Sequence, residues 1–331
     1  MFKALYIMDP GSWPRIYGPD QQAQIARMVE VLAPVLSPTE ALQRPDLLQQ
    51  MDVLLSGWGG PVLDKDFLAL APKLKALLYG AGSVRYMLSP EFWERKIVVT
   101  TANAANAIPV AEFSLAHILL GLKRAWFQSA EVKRARAYPE PHIPVAGSFG
   151  STVGLISLST IGRLVLQYLA HFEAKVIAYD PTLTPAQAAA LNVELVPLAE
   201  VFTRSDVVSL HAPLLPVTTG LITGSLLAGM KPGATFINTA RGAIVREDEM
   251  IEVLCARPDL TAIIDVTHPE PPESTSKLYD LPNVVLTPHI AGSVDRECQR
   301  MGQWVADELR RYLSGEPLKT SVTKEQVALM A

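Results

Sequence analysis

The stretch VGLISLSTIGR at residues 153–163 decides the fold of this 331-residue chain. An apolar run leads into a turn of small residues, and an amphipathic helix follows the turn. This order is typical of the phosphate-binding turn of a dinucleotide-binding unit, whose usual spacing is G-x-G-x-x-G. Here the three glycine positions hold Ser157, Ser159 and Gly162. Serine at the first position costs about 1 kcal/mol if its backbone needs a positive φ angle.

Two features nevertheless favour a bound dinucleotide. A helix that begins after such a turn presents unpaired backbone N–H groups to phosphate, and the Ser159 hydroxyl could add a further hydrogen bond. The next strand, AKVIAYD, ends in Asp180. A carboxylate there accepts hydrogen bonds from the adenosine ribose and repels a 2′-phosphate, so the sequence predicts NAD rather than NADP. The alternative is a solvated aspartate that ends a strand before Pro181.

Composition limits the class of protein. Hydrophobic residues make up 49% of the chain and charged residues 19%, which describes a folded chain long enough for two domains. The net charge of −4 provides no basic surface, so we expect neither nucleic acid nor a membrane as a partner. Two cysteines fit a reducing compartment, and no secretory or membrane-spanning stretch is recognisable, so we expect a cytoplasmic location.

Strand and helix signals alternate along the chain, which predicts two α/β units with parallel sheets and a cleft between them. Between the first strands, helices are expected over 21–35 and 64–70. The expected strands are the apolar or β-branched runs 2–8, 52–56, 74–80, 96–100, 151–158, 174–180, 193–197, 206–212, 234–240, 261–266 and 283–288.

Two further segments connect these series. The pattern PVAEFSLAHILLGLKR (109–124) predicts a helix with Pro109 in its first turn, and residues 125–150 are expected to form an extended arm outside the core. Residues 293–313 have apolar side chains at helical spacing. We expect this last helix to return to the first domain, which would make the middle domain an insertion.

Three strand ends carry unusual polar residues. Arg241 lies in FINTARGAIV, Asp265 and Glu270 lie in IIDVTHPEPP, and His289 lies in VVLTPHIAGS. Ligands of open α/β sheets bind at the carboxyl ends of the strands, where these side chains should cluster. Taken singly, each could be a solvated surface residue or part of a surface ion pair. Their occurrence together with Asp180 favours a common site.

These segments together resemble the D-isomer-specific 2-hydroxyacid dehydrogenase family, which includes D-lactate, phosphoglycerate and glyoxylate/hydroxypyruvate dehydrogenases. The motifs NTARG, DV…PEP and LPNVVLTPHIAGS carry the resemblance, and it extends over nearly the whole chain. It implies two Rossmann-like parallel-sheet domains, one flavodoxin-like and one dinucleotide-binding. Residues 1–103 plus 294–331 would bind substrate. Residues 104–293 would bind NAD, with the 109–150 helix and arm forming a homodimer.

The resemblance implies an NAD-dependent oxidoreductase that interconverts a small 2-keto acid and a D-2-hydroxy acid by hydride transfer. Its catalytic set would be Arg241, Glu270 and His289. An imidazolium at His289 can protonate the carbonyl oxygen, and a nearby Glu270 carboxylate would favour and orient it. Arg241 can clamp the substrate carboxylate bidentately and polarise the carbonyl. His268, two residues before Glu270, is the second candidate for the acid–base role.

The resemblance also assigns the remaining contacts, and it implies no metal ion. Ala81 and Gly82 would offer backbone N–H groups to the substrate carboxylate, beside Arg241 and His289. Asp265 could accept a hydrogen bond from the nicotinamide carboxamide. The residues implied to contact the cofactor are Ser159, Thr160, Ile161, Gly162, Asp180, Pro213, Thr218, Thr239, Ala240, Arg241, Asp265, His289 and Gly292.

Other functions on the same fold stay open. Formate enzymes of the family carry glutamine where Glu270 stands, which argues against formate, whereas phosphite oxidation is harder to exclude. A non-catalytic NAD-sensing or scaffold protein is a third reading, supported by the two serines in the turn. Arg85 could meet a second anionic group of the substrate or face solvent. Trp58 and Trp126 could limit substrate size or belong to ordinary packing.

Overall fold

The computed structural model describes residues 1–330, and the chain divides into two compact units. The first unit comprises Met1–Ala107 and the chain from Ser293 onward. The second comprises Ile108–Gly292, a continuous stretch inserted into the first. Each unit has its own parallel sheet, as the alternation of strand and helix signals predicts.

Five parallel strands form the sheet of the first unit, in the order β2-β1-β3-β4-β5. They are β1 (Lys3–Tyr6), β2 (Glu30–Val31), β3 (Val53–Ser56), β4 (Ala76–Tyr79) and β5 (Val98–Thr101). Every residue of β3 and β4 is buried, because both faces of a parallel sheet are covered, and such strands read as continuous apolar runs. The helix expected over 21–35 is too long. It ends at Met28, and the chain then pairs with β1 as β2, since edge pairing overrides a weak helical pattern.

Helices cover this sheet, and the last long helix closes its core. They are α1 (Trp13–Ile16), α2 (Pro19–Met28), α3 (Pro38–Leu42), α4 (Pro45–Leu48), α5 (Lys65–Leu70), α6 (Pro90–Glu94), α14 (Arg296–Ser314) and α15 (Lys324–Ala328). Helix α14 packs on α1 and α2. At Gly302 its backbone lies so close to α1 that a Cβ atom would fall on the carbonyl of Ile16. The expected terminal helix therefore packs in the first unit.

A segment near the end of the chain covers the β5 edge of this sheet. Thr101 donates its backbone N–H to Thr320 (3.1 Å), and Val322 donates to Val99 (3.1 Å). Ser321 forms an antiparallel bridge with Thr100. The backbone groups of β5 that face away from β4 are thereby paired, which removes an exposed strand edge.

Seven parallel strands form the sheet of the second unit, in the order β12-β11-β10-β9-β6-β7-β8. They are β6 (Thr152–Ile156), β7 (Lys175–Tyr179), β8 (Glu194–Leu195), β9 (Val207–Leu210), β10 (Thr235–Asn238), β11 (Thr261–Ile264) and β12 (Val284–Leu286). The strand order reverses between β6 and β9, so a topological switch point lies at their carboxyl ends. That point is where open α/β sheets bind ligands.

The helices of this unit correct two of the expectations. They are α7 (Asn103–Leu122), which enters from the first unit, α8 (Ala125–Ala135), α9 (Thr160–Leu169), α10 (Pro185–Ala190), α11 (Leu198–Arg204), α12 (Gly224–Ala228) and α13 (Glu247–Ala256). Pro109 lies inside α7, not in its first turn, because the preceding Asn-Ala-rich residues already form helix. Residues 125–135 are helical rather than extended, although none of the α8 side chains is fully buried.

Helix α7 also meets, by length and composition alone, the requirement for a membrane span. Of its most apolar 18-residue window, 56% is buried inside the protein. The core helix of a globular domain passes the same test, and buried Ala111, Ile118 and Leu122 belong to the hydrophobic core under the seven-stranded sheet.

Candidate active site

The turn between β6 and α9 has the backbone conformation that its missing glycine would favour. Ser157 adopts a left-handed conformation with φ +72°, so this position does need positive φ. Its N–H donates to the carbonyl of Tyr179 (2.8 Å), which ties the turn to the end of β7. The serine is therefore held in a conformation that costs an L-residue about 1 kcal/mol.

The start of α9 has the features required for a pyrophosphate. Gly162 is buried, and a Cβ atom there would fall on the carbonyl oxygen of Ser157, so only glycine allows the helix this close to the turn. Thr160 and Ile161 begin the helix, and no acceptor for their backbone N–H groups is found among residues 1–330. Two unpaired N–H groups at the positive end of a ten-residue helix form an anion site. The donor set thus fits the cofactor that the motif implies.

The Ser159 hydroxyl has a different role from the expected phosphate contact. It donates to the carbonyl of His211 (2.8 Å) and accepts from the N–H of Gly162 (3.5 Å) as the helix N-cap. A hydroxyl has one proton to donate, so in this rotamer none remains for a phosphate oxygen. His211 itself is buried, neither of its ring nitrogens has a hydrogen-bond partner among residues 1–330, and burial lowers its pKa to about 3.

Asp180 lies at the end of β7 as predicted, but its carboxylate is already engaged. Oδ2 accepts the backbone N–H of Leu158 (2.7 Å) and, at a long 3.4 Å, the hydroxyl of Ser157. Oδ1 accepts the N–H (2.9 Å) and the hydroxyl (2.6 Å) of Thr182. The side chain is only 8% exposed. Asp180 therefore braces the phosphate-binding turn.

Four more of the expected cofactor residues make hydrogen bonds within the second unit. Thr218 donates its hydroxyl to the carbonyl of Pro213 (2.6 Å) and accepts the N–H of Leu215 (2.8 Å), which closes the loop after β9. The Thr239 hydroxyl lies 3.1 Å from that of Ser114 on α7. Ala240 donates its N–H to the side chain of Asn238 (3.0 Å).

His289 and Glu270 form the pair that the sequence predicts. His289 Nδ1 lies 2.5 Å from Glu270 Oε1. The two side chains are 44% and 41% exposed, so a ligand can reach the remaining ring nitrogen, Nε2. His289 also has a left-handed backbone (φ +54°), and its N–H donates to the carbonyl of Asp265 (3.0 Å). His268 is exposed, and no bond from its ring to Glu270 is found in the described chain.

Asp265 fixes the loop that carries His289. Its Oδ1 accepts the hydroxyl of Thr287 (2.6 Å) and the N–H of Ile290 (2.9 Å), and Oδ2 accepts the N–H of Ala291 (2.9 Å). The residue is 2% exposed. Three of its acceptor positions are thus occupied by the 287–291 loop.

Arg241 follows β10 in the same unit. Its Nη1 donates to the carbonyl of Ala240 (2.7 Å). Burial lowers the pKa of Arg241, and the negative charge of Glu270 acts in the opposite direction, which places the two groups within electrostatic range. An arginine stays cationic in any case. The second unit thus brings together a cation, a carboxylate and an imidazole.

The first unit holds the other expected substrate residues. Ala81 and Gly82 follow β4, and the carbonyl of Ala81 accepts the N–H of Ala102 (3.0 Å). A Cβ at Gly82 would meet Asn103 and Asn106 only at ordinary contact distance. Arg85 begins a short 3-10 turn and is exposed.

The two tryptophans named from the sequence have ordinary neighbours. The guanidinium of Arg15 lies 5.6 Å from the ring centre of Trp58. The ring centre of Trp126 lies 5.8 Å from that of His117, which also contacts the ring of Phe113 in a tilted arrangement at 4.4 Å. Burial lowers the pKa of His117.

Sequence reasoning missed Thr267 and Glu247. Thr267 donates its hydroxyl to the carbonyl of Pro269 (2.8 Å) and its N–H to Glu270 Oε2 (3.4 Å). Glu247, at the start of α13, accepts the N–H of His268 (2.9 Å). Thr267 lies within IIDVTHPEPP but was given no role there, and the contacts of both residues depend on loop geometry that spacing does not reveal.

Comparison with known proteins shows the family to which this chain is similar. Residues 115–291 match a family model described as D-isomer specific 2-hydroxyacid dehydrogenase, NAD binding domain. A D-3-phosphoglycerate dehydrogenase of Mycobacterium tuberculosis is 35% identical over 254 residues, which cover 77% of this chain and 48% of that protein. A glyoxylate reductase of Thermofilum pendens is 31% identical over 268 residues, covering 80% of this chain and 79% of the relative. The chain spans about half the length of the phosphoglycerate dehydrogenases that it matches.

Solved structures share the fold over almost the full chain. The TT0316 protein of Thermus thermophilus superposes with a TM-score of 0.73 at 26% identity, covering 97% of this chain and 100% of that structure. The NAD-complexed D-isomer specific 2-hydroxyacid dehydrogenase of Lactobacillus delbrueckii ssp. bulgaricus gives a TM-score of 0.78 at 23% identity, covering 98% and 100%.

Proposed function

We propose that this chain, which belongs to the D-isomer specific 2-hydroxyacid dehydrogenase family, is an NAD-dependent oxidoreductase that interconverts a small 2-keto acid and its D-2-hydroxy acid. The observation that carries the proposal is the contact between His289 Nδ1 and Glu270 Oε1 at 2.5 Å. This contact leaves Nε2 of a partly exposed imidazole available for proton transfer, as a general acid requires.

The chain's own groups divide the work of the reaction. Glu270 accepts a hydrogen bond from Nδ1–H of His289 and thereby fixes the orientation of the ring. During reduction, Nε2 gives its proton to the carbonyl oxygen of the keto acid, and during oxidation it takes the hydroxyl proton back. Arg241 binds the substrate carboxylate and polarises the carbonyl. When bound, the nicotinamide supplies or accepts the hydride at the carbonyl carbon.

The substrate carboxylate has a second set of donors in this proposal. We assign the backbone N–H groups of Ala81 and Gly82 to it, because the close turn after β4 leaves room at Gly82.

The cofactor proposal rests on the start of α9 and on Asp180. The N–H groups of Thr160 and Ile161 would bind the pyrophosphate. The Asp180 charge disfavours a 2′-phosphate, so we propose NADH over NADPH. The nicotinamide would lie beside Thr239, Ala240, Arg241, Asp265, His289 and Gly292, and the adenosine side beside the Pro213–Thr218 loop.

We further propose a homodimer formed through α8 and the segment that follows it. No side chain of helix α8 is fully buried, and Tyr138 and Phe149 beyond it are 93% and 79% exposed. Large apolar side chains on the surface favour a protein partner over water. Analytical ultracentrifugation tests this, and a monomer at micromolar concentration would contradict it. Both cysteines are free thiols, which supports a cytoplasmic location.

The decisive experiment follows oxidation of NADH with glyoxylate, hydroxypyruvate, pyruvate and bulkier 2-keto acids. We expect turnover with at least one small keto acid. We also expect a loss of at least about 100-fold in kcat/KM in His289→Ala, and smaller losses in Glu270→Gln and Arg241→Lys. NADH binding without turnover on any keto acid would refute the enzyme in favour of a sensor, and turnover only with phosphite would refute the substrate class. Faster turnover with NADPH would refute the role of Asp180.

A further inference from the structure

Two segments of the second unit that carry the proposed catalytic residues contact each other through their backbones. One segment runs from Arg241 to the start of α13, and the other runs from Thr267 to Glu270. At Gly242 the first segment touches the second so closely that a Cβ atom would fall on the peptide joining Thr267 and His268. The segments therefore meet backbone to backbone.

A single carboxylate closes this contact. Glu247 Oε2 accepts the backbone N–H of His268 at 2.9 Å. Burial raises the pKa of Glu247, whereas the His268 hydrogen bond lowers it, so the side chain is partly removed from water. The carboxylate oxygen thus supplies the acceptor for the His268 N–H at this contact. It holds the loop two residues before Glu270.

From His268 the constraint passes directly to the catalytic pair. Thr267 donates its hydroxyl to the carbonyl of Pro269 at 2.8 Å, which fixes the turn before Glu270, and its N–H reaches Glu270 Oε2 only at a long 3.4 Å. The other oxygen, Oε1, contacts His289. Any movement of the 267–270 loop would thus change where the Glu270 carboxylate lies relative to the imidazole.

We propose that Glu247 is a positioning residue, which locks the Glu270 loop onto the Arg241 segment and so sets the geometry of the Glu270–His289 pair. The expected kinetic effects rest on the proposed function, whereas the predicted effect on the geometry of the Glu270–His289 pair does not. Its mechanism needs an acceptor oxygen at this position and no negative charge. Glutamine should therefore serve nearly as well as glutamate, whereas alanine should not.

The test compares Glu247→Ala with two matched variants. Glu247→Gln keeps an acceptor oxygen, and Asp248→Ala removes an exposed charge one position along the same helix turn. A displacement of about 1 Å at a catalytic group can cost up to about 100-fold in rate. We expect kcat of Glu247→Ala to fall roughly 10-fold to 100-fold with KM changed less than about twofold. Glu247→Gln and Asp248→Ala should stay within about threefold of the parent.

A spectroscopic readout separates this inference from the proposed function. The Nδ1–H proton of His289, identified as the signal that His289→Gln lacks, should resonate far downfield because it is hydrogen-bonded to Glu270. It should move upfield or vanish in Glu247→Ala and stay in place in Glu247→Gln. If that signal is unchanged in folded Glu247→Ala, the inference is wrong. If it moves while the parent turns over no keto acid, the positioning stands and the proposed function fails.

Discussion

Removing the Asp180 carboxylate should destabilise the second unit even when no cofactor is present. In Asp180→Ala the buried N–H of Leu158 loses an acceptor at 2.7 Å, which costs about 1–3 kcal/mol. The exposed Thr182 turns to water for its two lost bonds, at about 0.5 kcal/mol each. We give no weight to the 3.4 Å contact with Ser157. The expected loss is about 3 kcal/mol, or roughly 6–12 °C in Tm.

Two units can unfold separately, so the assay must resolve the second one. Urea unfolding followed by circular dichroism gives the overall effect, and hydrogen exchange of peptides covering β6 and α9 locates it. Thr182→Val is the matched control, because it removes only the exposed hydroxyl donor and should cost about 0.5 kcal/mol. A stability of Asp180→Ala within about 0.5 kcal/mol of the parent would show that the carboxylate does not brace the turn.

Three further predictions concern the same unit. Gly162→Ala places a methyl group on the Ser157 carbonyl. We therefore expect the free energy of unfolding in urea to fall by about 2 kcal/mol and NADH binding, measured by calorimetry, to weaken. Unchanged values would contradict the close packing. Ser157→Gly removes the side chain that makes the +72° φ angle unfavourable. We expect an unfolding free energy equal to the parent's or up to about 1 kcal/mol higher, with a modest change in NADH affinity. A clear loss of stability would argue against strain at this position. Burial lowers the pKa of His211 to about 3, so below pH 6.5 the unfolded chain binds a proton that the folded chain does not. The free energy of unfolding should therefore decrease as the pH is lowered, and His211 should account for about 2 kcal/mol of the decrease between pH 7 and pH 5. The fall should be smaller by this amount in His211→Phe, and parallel pH curves for parent and variant would contradict the prediction.

The spacing of apolar residues and the polar residues at the strand ends made much of this fold predictable. Buried parallel strands are short apolar runs, and those around Val53, Ala76, Val207 and Thr235 were recognisable for that reason. The need for positive φ at Ser157 follows from the motif itself, since only a left-handed residue closes that turn. The contact between His289 and Glu270 could be expected because both follow neighbouring strand ends.

Partners that depend on loop geometry could not be predicted. A carboxylate after a strand can face a ligand or turn back onto its own chain, and spacing does not distinguish the two for Asp180 or Asp265. The first residues of α7, rich in alanine and asparagine, have no amphipathic pattern, so the sequence predicts that this helix begins at Pro109. Glu247 looked like any acidic residue in a first helical turn, where the helix dipole favours it.

The split first unit has a consequence for synthesis. Residues 1–107 leave the ribosome first, but helix α14 and the strand-covering segment 320–322 follow only after the whole second unit. At 5–20 residues per second, that intervening stretch takes roughly 10 to 40 s to translate. The second unit can complete its sheet in the meantime, whereas the nascent first sheet waits with the apolar face around Ala4, Tyr6 and Leu78 uncovered. Chaperone binding and misfolding during expression should therefore concentrate on that face.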